Sequence, residues 1–498
     1  MRILLVNPPF YGAPSLGGAG EQLPLGLLSV GGALIDAGHD VALLDAGARR
    51  LSVAAAADEA ARRGPDVVMT GHAGSTAAHT TAMRLATALK ARRPDATVVY
   101  GGVFPTFHAA DILAAEPAVD AIVRGEGEAT AVALADALAR GAPLDGVAGL
   151  SFRDGNRVVE TPPAPPIADL NAFRVGWELV EDWSRHTTWG QGRAAVVQFS
   201  RGCPHRCSHC GQHAFWGRWR HRDPERLADE IAWLHRRHGV RFVNLADENP
   251  AASKRVWRQF LEALAARAVP VRLFATIRAA DVARDADILP MYRAAGMLCV
   301  LMGIESTDPA TLARIGKGSD RATDRQAIRL LRRHGILSMA CHIVGFEEET
   351  WGTHRRALGR LLAYDPDLLN AMYVTPHRWA GWAAANGDRA VVQTDLARWD
   401  YRHQVLATRH LRPWQVFAAV KLTEAVLHLR PRMLWRALAH RDAEVRHALR
   451  WCLAHAGRVW LGEIGDFAFR TRFARRPRPL AEHFDAPQAA GPEPSGSG

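Results

Sequence analysis

SRGCPHRCSHCGQ, residues Ser200 to Gln212, places three cysteines, Cys203, Cys207 and Cys210, within eight positions. The run AAVVQFS (194–200) that leads into it is short, apolar and β-branched, so the trio sits on a loop that leaves a strand. Cys299, Cys341 and Cys452 are scattered along the rest of the chain, a usage that favours metal over disulfides in a reducing compartment. Structural zinc asks for four ligands, usually as two C-x2-C knuckles or a Cys/His set. No second knuckle is present, although His205 or His209 could complete such a site locally. Three thiolates on one loop also suit a [4Fe–4S] cluster whose remaining iron is open to a small molecule, and this is the stronger reading.

Downstream of the loop the same rhythm repeats. Strand candidates at 194–200, 240–248, 271–279, 297–306, 336–346 and 368–376 are each separated by one amphipathic segment of helix length. Six such units predict a partial (β/α)6 barrel over 193–380, in which chemistry belongs to the loops that follow the strands. The cysteine loop follows the first of them. Upstream, five apolar runs (2–9, 40–47, 65–73, 97–102 and 121–128) alternate with Ala/Leu-rich helical segments. They predict a doubly wound, flavodoxin-like parallel sheet over 1–145, with a ligand crevice at the carboxyl ends of its strands. Between the two α/β units, 146–192 begins as a hairpin around Gly155 and becomes a proline-rich linker. After 380 the βα rhythm stops: 381–485 is Trp-, Arg- and His-rich with a helical pattern, and 486–498 has the composition of a disordered tail.

A chain of 498 residues has room for more than one core. Its net charge of +11 comes from arginine, since Lys90, Lys254, Lys317 and Lys421 are the only lysines. A solvated basic surface accounts for this, with an anionic partner or a membrane surface as the second reading. No basic block interleaved with aromatics points to nucleic acid. No apolar stretch approaches the roughly 20 residues of a membrane span, and MRILLVNPPF turns polar too early for a signal peptide. A cytoplasmic protein is expected, with peripheral membrane contact left to the Arg-rich C-terminal region.

CPHRCSHC after a strand, at the start of a βα barrel, resembles the radical S-adenosylmethionine enzymes. The resemblance covers about 195–380 and implies that Cys203, Cys207 and Cys210 ligate a [4Fe–4S] cluster whose open iron chelates the methionine end of S-adenosylmethionine. Electron transfer from the cluster then yields a 5′-deoxyadenosyl radical. His209 stands where the family usually has a larger aromatic beside the adenine. Asp247 and Glu248 of ADEN (246–249) are the candidates for the methionine amino group, and Arg278 for its carboxylate. Gly303 and Glu305 of GIES, with Gly345 and Glu348 of HIVGFEEET, match strand-end motifs that shape the adenosine site.

The open sheet ahead of the barrel resembles the cobalamin-binding subclass of that superfamily. In GHAGST (71–76), GGVFPTFH (101–108) and RGEGE (124–128), the resemblance implies that Gly101, Gly102, Gly125 and Glu126 border the corrin. Ser75 and Thr76 would bind the nucleotide tail at a helix N-terminus. The D-x-H-x-x-G signature of a lower axial histidine is absent, and His72 and His108 read as loop histidines. Within the subclass, GQHAFWGRWRHRDPERLADEI (211–231) and YVTPHRW (373–379) are similar to anaerobic oxidative cyclases that build the isocyclic ring of a magnesium porphyrin with oxygen from water. That resemblance implies a porphyrin substrate, with Trp216, Arg220, Tyr373 and His377 as candidates for its aromatic face and propionates. His342 and His377 are candidates for moving protons. A flavodoxin- or ferredoxin-type reductant is implied as well. The alternatives are a cobalamin-dependent methyltransferase acting on an unactivated carbon and a non-enzymatic iron–sulfur or zinc sensor.

Overall fold

The computed structural model describes residues 1–10, 22–71 and 76–485. Ser75, His72 and the tail 486–498 therefore lie outside the described residues. In the N-terminal unit β1 (Arg2–Asn7), β2 (Asp40–Asp45), β3 (Val67–Gly71), β4 (Thr97–Gly101) and β5 (Ala121–Val123) run parallel in the order β2-β1-β3-β4-β5. Alternation along each strand feeds two cores. Ile3, Leu5, Val67, Met69 and Val99 face the helices Leu25–Asp36 and Gly127–Arg140, while Leu4, Val6, Val68, Val98 and Tyr100 face the helices Val53–Arg62 and Ala78–Lys90. The hairpin read around Gly155 is β6 (Leu150–Asp154) and β7 (Arg157–Glu160); it adds antiparallel to β5 and so extends this sheet.

The second unit opens with β8 (Ala194–Val197). A two-residue clamp follows, β9 (Ser200–Arg201) paired antiparallel with β10 (Arg220–His221), and everything between these strands is the cysteine loop. The remaining strands are β11 (Phe242–Leu245), β12 (Arg272–Thr276), β13 (Met297–Glu305), β14 (Leu337–Val344) and β15 (Leu368–Tyr373). Together with β8 they form a six-stranded parallel sheet in the order β15-β14-β13-β12-β11-β8, whose two edges stay unpaired with each other.

The C-terminal region is mainly the helices Pro413–Leu429, Pro431–Ala439 and Ala443–Phe469, with a small ribbon of β16 (Ala390–Val391) and β17 (Arg478–Pro479). Met433, Ala437, Val445, Ala448, Leu449 and Cys452 pack under the strand starts Ala194, Phe242, Leu298, Leu337 and Leu368. The helices Pro431–Ala439 and Ala443–Phe469 therefore plug the amino-terminal end of the barrel and leave the carboxyl-terminal end for chemistry. Cys299 and Cys452 are spent in that plug. Among the described residues, no helix is long and apolar enough to cross a membrane.

Candidate active site

The cysteine loop begins with Gly202, whose φ of +85° and 2.5 Å gap between a would-be Cβ and the Arg218 carbonyl oxygen admit only glycine. Its base is held from both sides. Asp247, after β11, accepts hydrogen bonds from the backbone N–H of Phe199 and Ser200 and from the Ser200 hydroxyl. Arg201 pairs with Glu126 and Glu128 at 2.7 and 2.5 Å, and Arg220 with Glu126 at 2.6 Å. The tip is tied to the barrel by Ser208 N–H donating to the Ile315 carbonyl at 3.0 Å and Trp382 N–H to the Ser208 carbonyl at 2.9 Å.

So held, Cys203, Cys207 and Cys210 line one wall of a cavity of about 290 Å³ at the carboxyl ends of the strands. Glu248, Thr276, Arg278, Gly303, Glu305 and Tyr373 line the same space, each from a strand end or the loop beyond it. Glu248 has no hydrogen-bond partner among the described residues, and burial next to Asp247 pushes its carboxyl up to about 7. Arg278 donates through Nη2 to the Lys317 carbonyl at 2.6 Å and keeps a buried Nε with no partner among the described residues. Glu305 ends β13 with φ +60° and accepts from Lys317 Nζ at 2.8 Å. Burial opposes its charge, but the Lys317 ammonium holds Glu305 below the ordinary carboxylate range. Gly303 makes room for this pair, because a Cβ there would lie 2.2 Å from Glu305 Oε1. His209 is beside it, with Nε2 4.0 Å from Glu305 Oε1 and an Nδ1 that has no partner among the described residues.

The lining next to the cysteine loop joins the two α/β units. His377, after β15, stacks on Trp379 at 4.8 Å and sits between Thr76 Oγ1 (3.3 Å) and Tyr401 Oη (2.6 Å). Burial drives its imidazole down to about 4, so it is neutral. Trp379 stacks flat on Phe107 at 4.9 Å, and Arg378 pairs with Asp111 at 2.5 Å, both partners belonging to the N-terminal unit. Val103, just beyond β4 and the pair Gly101–Gly102, reaches the cavity itself. The space is therefore lined both by the cysteine loop and, through Val103, by the crevice end of the open sheet.

Several expected site residues do other work. Asp247 is spent on the loop base and does not line the cavity. Glu126 and Arg220 pair with each other across the two units, and Arg220 also donates to the carbonyls of Ile167 and Trp216, so neither is free for corrin or propionate. Trp216 lies outside the cavity with the Arg201 guanidinium 5.2 Å above its ring. Gly345 is a left-handed turn whose N–H is taken by Glu349 at 2.9 Å, and Glu348 pairs with Arg409 on the surface. His342 is buried in β14 and does not line the cavity, and its Nδ1 has no partner among the described residues. Thr76 is occupied by His377, Gly125 donates to Thr106 Oγ1 at 2.9 Å, and His108 is buried against Phe104. Among the lining residues that the sequence did not single out are Lys317, whose signal is that lysine is so scarce in this chain, and Tyr401, which carries none.

The donor set fits an iron–sulfur cluster. A cluster takes each thiolate to a different iron, and Cys203, Cys207 and Cys210 line one wall of the cavity. Burial raises the thiols of Cys203 and Cys210, the latter to about 12, with Arg278 opposing the shift at Cys203, so those thiolates are made by the cation that binds them. The unpaired Glu248 carboxylate and the orphaned Arg278 Nε are complementary to the ammonium and carboxylate of an amino acid.

Fold and site together define a cobalamin-binding radical S-adenosylmethionine protein. Residues 18–135 match the B12 binding domain family and residues 197–361 the Radical SAM superfamily. The chain is 48% identical over 491 residues to the anaerobic magnesium-protoporphyrin IX monomethyl ester cyclase of Synechocystis sp., covering 98% of each chain. It is 34% identical to the cyclase of the same name from Rubrivivax gelatinosus, over 79% of this chain and 71% of that one. The chain belongs to the family of anaerobic magnesium-protoporphyrin IX monomethyl ester cyclases. In fold it is similar to the radical S-adenosylmethionine methyltransferase TsrM from Kitasatospora setae, with a TM-score of 0.68 at 18% identity over 94% of this chain and 99% of that one.

Proposed function

We propose that this chain closes the isocyclic ring of protochlorophyllide from magnesium-protoporphyrin IX 13-monomethyl ester, anaerobically and with oxygen from water, in bacteriochlorophyll biosynthesis. The observation that carries the reading is one cavity lined at once by the three cysteines and by the N-terminal unit, in a chain that follows a cyclase along its whole length. When bound, the [4Fe–4S] cluster with S-adenosylmethionine supplies hydrogen-atom abstraction, and cobalamin supplies further electron transfer at carbon. The residues do the rest. Cys203, Cys207 and Cys210 hold the cluster against the strand ends. Glu248 and Arg278 orient the amino-acid end of S-adenosylmethionine, and the Glu305–Lys317 pair walls the nucleoside side. Trp379 and His377 present a shelf to the flat macrocycle, while the Tyr373 ring packs instead against Val416 and Val420 of the helix Pro413–Leu429. A low-potential reductant of the flavodoxin or ferredoxin type and a cytoplasmic setting belong to the same proposal. Anaerobic reconstitution of single Cys→Ala variants tests it: each is expected to lose cluster iron and all formation of 5′-deoxyadenosine. Undiminished turnover of Cys207→Ala would refute it.

A further inference from the structure

Two consecutive C-terminal helices carry a second apolar face that the core does not use. On Pro413–Leu429 the inner face buries Val416, Ala419, Val420 and Leu427 against the barrel. The outer face reads Trp414, Ala418, Leu422, Ala425, Val426 and Leu429, a helical stripe without a charge. Trp414, Leu422 and Leu429 are 55, 57 and 64% exposed. Pro431–Ala439 repeats the design. Met433 and Ala437 point into the plug, while Trp435 and Leu438 are 70 and 72% exposed with Leu434 beside them. A helix that is apolar on both sides is ordinarily enclosed, and contiguous apolar surface of this kind marks an interaction site.

Charge says what covers it. Residues 401–485 hold sixteen basic side chains against seven acidic ones, a surplus of nine within a chain whose net charge is +11. The acidic groups are largely consumed internally: Glu424 and Glu463 pair with Lys421, Glu444 with Arg272 and Asp466 with Arg398. Arg441, Arg450, Arg458, Arg470, Arg475 and Arg476 are exposed without a carboxylate partner among the described residues. A second copy of this chain would bring the same positive charge to the interface. Exposed Trp and Leu in a region with this surplus of unpaired arginines match an anionic lipid surface, where indole and leucine enter the headgroup boundary and guanidinium groups meet phosphates. With no described helix both long and apolar enough to cross a bilayer, the contact proposed is with the membrane surface.

We infer that the helices Pro413–Leu429 and Pro431–Ala439 form a peripheral docking face for anionic lipid bilayers. The inference is independent of the reaction. The test is flotation of the full chain with vesicles of phosphatidylglycerol and phosphatidylcholine in equal parts, and with phosphatidylcholine alone. The protein is expected to rise with the anionic vesicles and to bind the neutral ones about tenfold less. Trp435→Glu with Leu438→Glu is expected to weaken anionic binding about tenfold or more, and Trp233→Glu on a distant helix to leave it unchanged. Because both positions are exposed, circular dichroism of the double variant should match the parent. Leu422→Gln, on the neighbouring helix, gives a milder variant with the same expected direction. Protein that stays at the bottom with both vesicle types overturns the inference, as does a double variant that floats like the parent. Self-association by light scattering that the double variant abolishes, without vesicle binding, assigns the face to a second copy and overturns it too.

Discussion

Replacing Asp247 by alanine separates a structural carboxylate from a ligand contact. Its side chain accepts three hydrogen bonds at the base of the cysteine loop, two of them from the backbone N–H of Phe199 and Ser200. The Ser200 hydroxyl can rotate after the change, but two buried N–H groups cannot. Each orphaned buried donor costs about 1–3 kcal/mol, so the loss is about 4 kcal/mol, equivalent to roughly 10 °C in melting temperature for a unit of this size. Asp247→Asn keeps an acceptor and is expected to lose about half as much. Thermal melts of the full chain by circular dichroism measure this before any cofactor is added, and iron content after anaerobic reconstitution should fall in the same order. The reasoning is refuted if Asp247→Ala melts within about 2 °C of the parent and loses only S-adenosylmethionine binding. In that case Asp247 touches the ligand.

Lys317→Met strands the Glu305 carboxylate in the cavity wall, which is expected to cost about 3–5 kcal/mol; Glu305→Gln in the same chain should restore much of it, as a double-mutant cycle of melts would show. Gly211→Ala places a methyl 2.3 Å from Trp379 Nε1, so Trp379 must move, and tryptophan emission should shift even in the protein without cofactors. His428 accepts the Leu369 N–H through Nε2, and burial holds its imidazole at about 4. A depressed folded-state value means stability is complete above pH 6.5 and lost as pH falls toward 4, roughly 3 kcal/mol in all. His428→Gln, which keeps an acceptor, should flatten the dependence of melting temperature on pH across that window.

The strands were legible because buried parallel strands are written as short β-branched runs, and the cysteine spacing made the loop legible because three thiols in eight positions have few other uses. Glu248, Arg278 and Glu305 could be placed by the rule that chemistry follows strand ends. The same rule misled at Asp247, since two adjacent carboxylates after one strand face opposite ways and only one can enter the cavity. Arg220 and Glu126 are 94 positions apart, so nothing local reveals that each is the other's partner. The left-handed backbone of Glu305 and the bridge from Thr76 through His377 to Tyr401 depend on how the two units dock, which periodicity does not encode. The outer stripe of Pro413–Leu429 is readable as apolar, yet exposure distinguishes it from core only once the fold is known.

The central claim is that one cavity unites cluster chemistry, S-adenosylmethionine and cobalamin to oxidise a porphyrin side chain. Its most direct test is mass spectrometry of the pigment formed by the reconstituted, oxygen-free protein given magnesium-protoporphyrin IX monomethyl ester, a low-potential reductant, methyl-labelled S-adenosylmethionine and 18O water. The expected product has a fifth ring bearing one 18O ketone and no labelled methyl group. A product carrying the labelled methyl and no 18O would contradict the account.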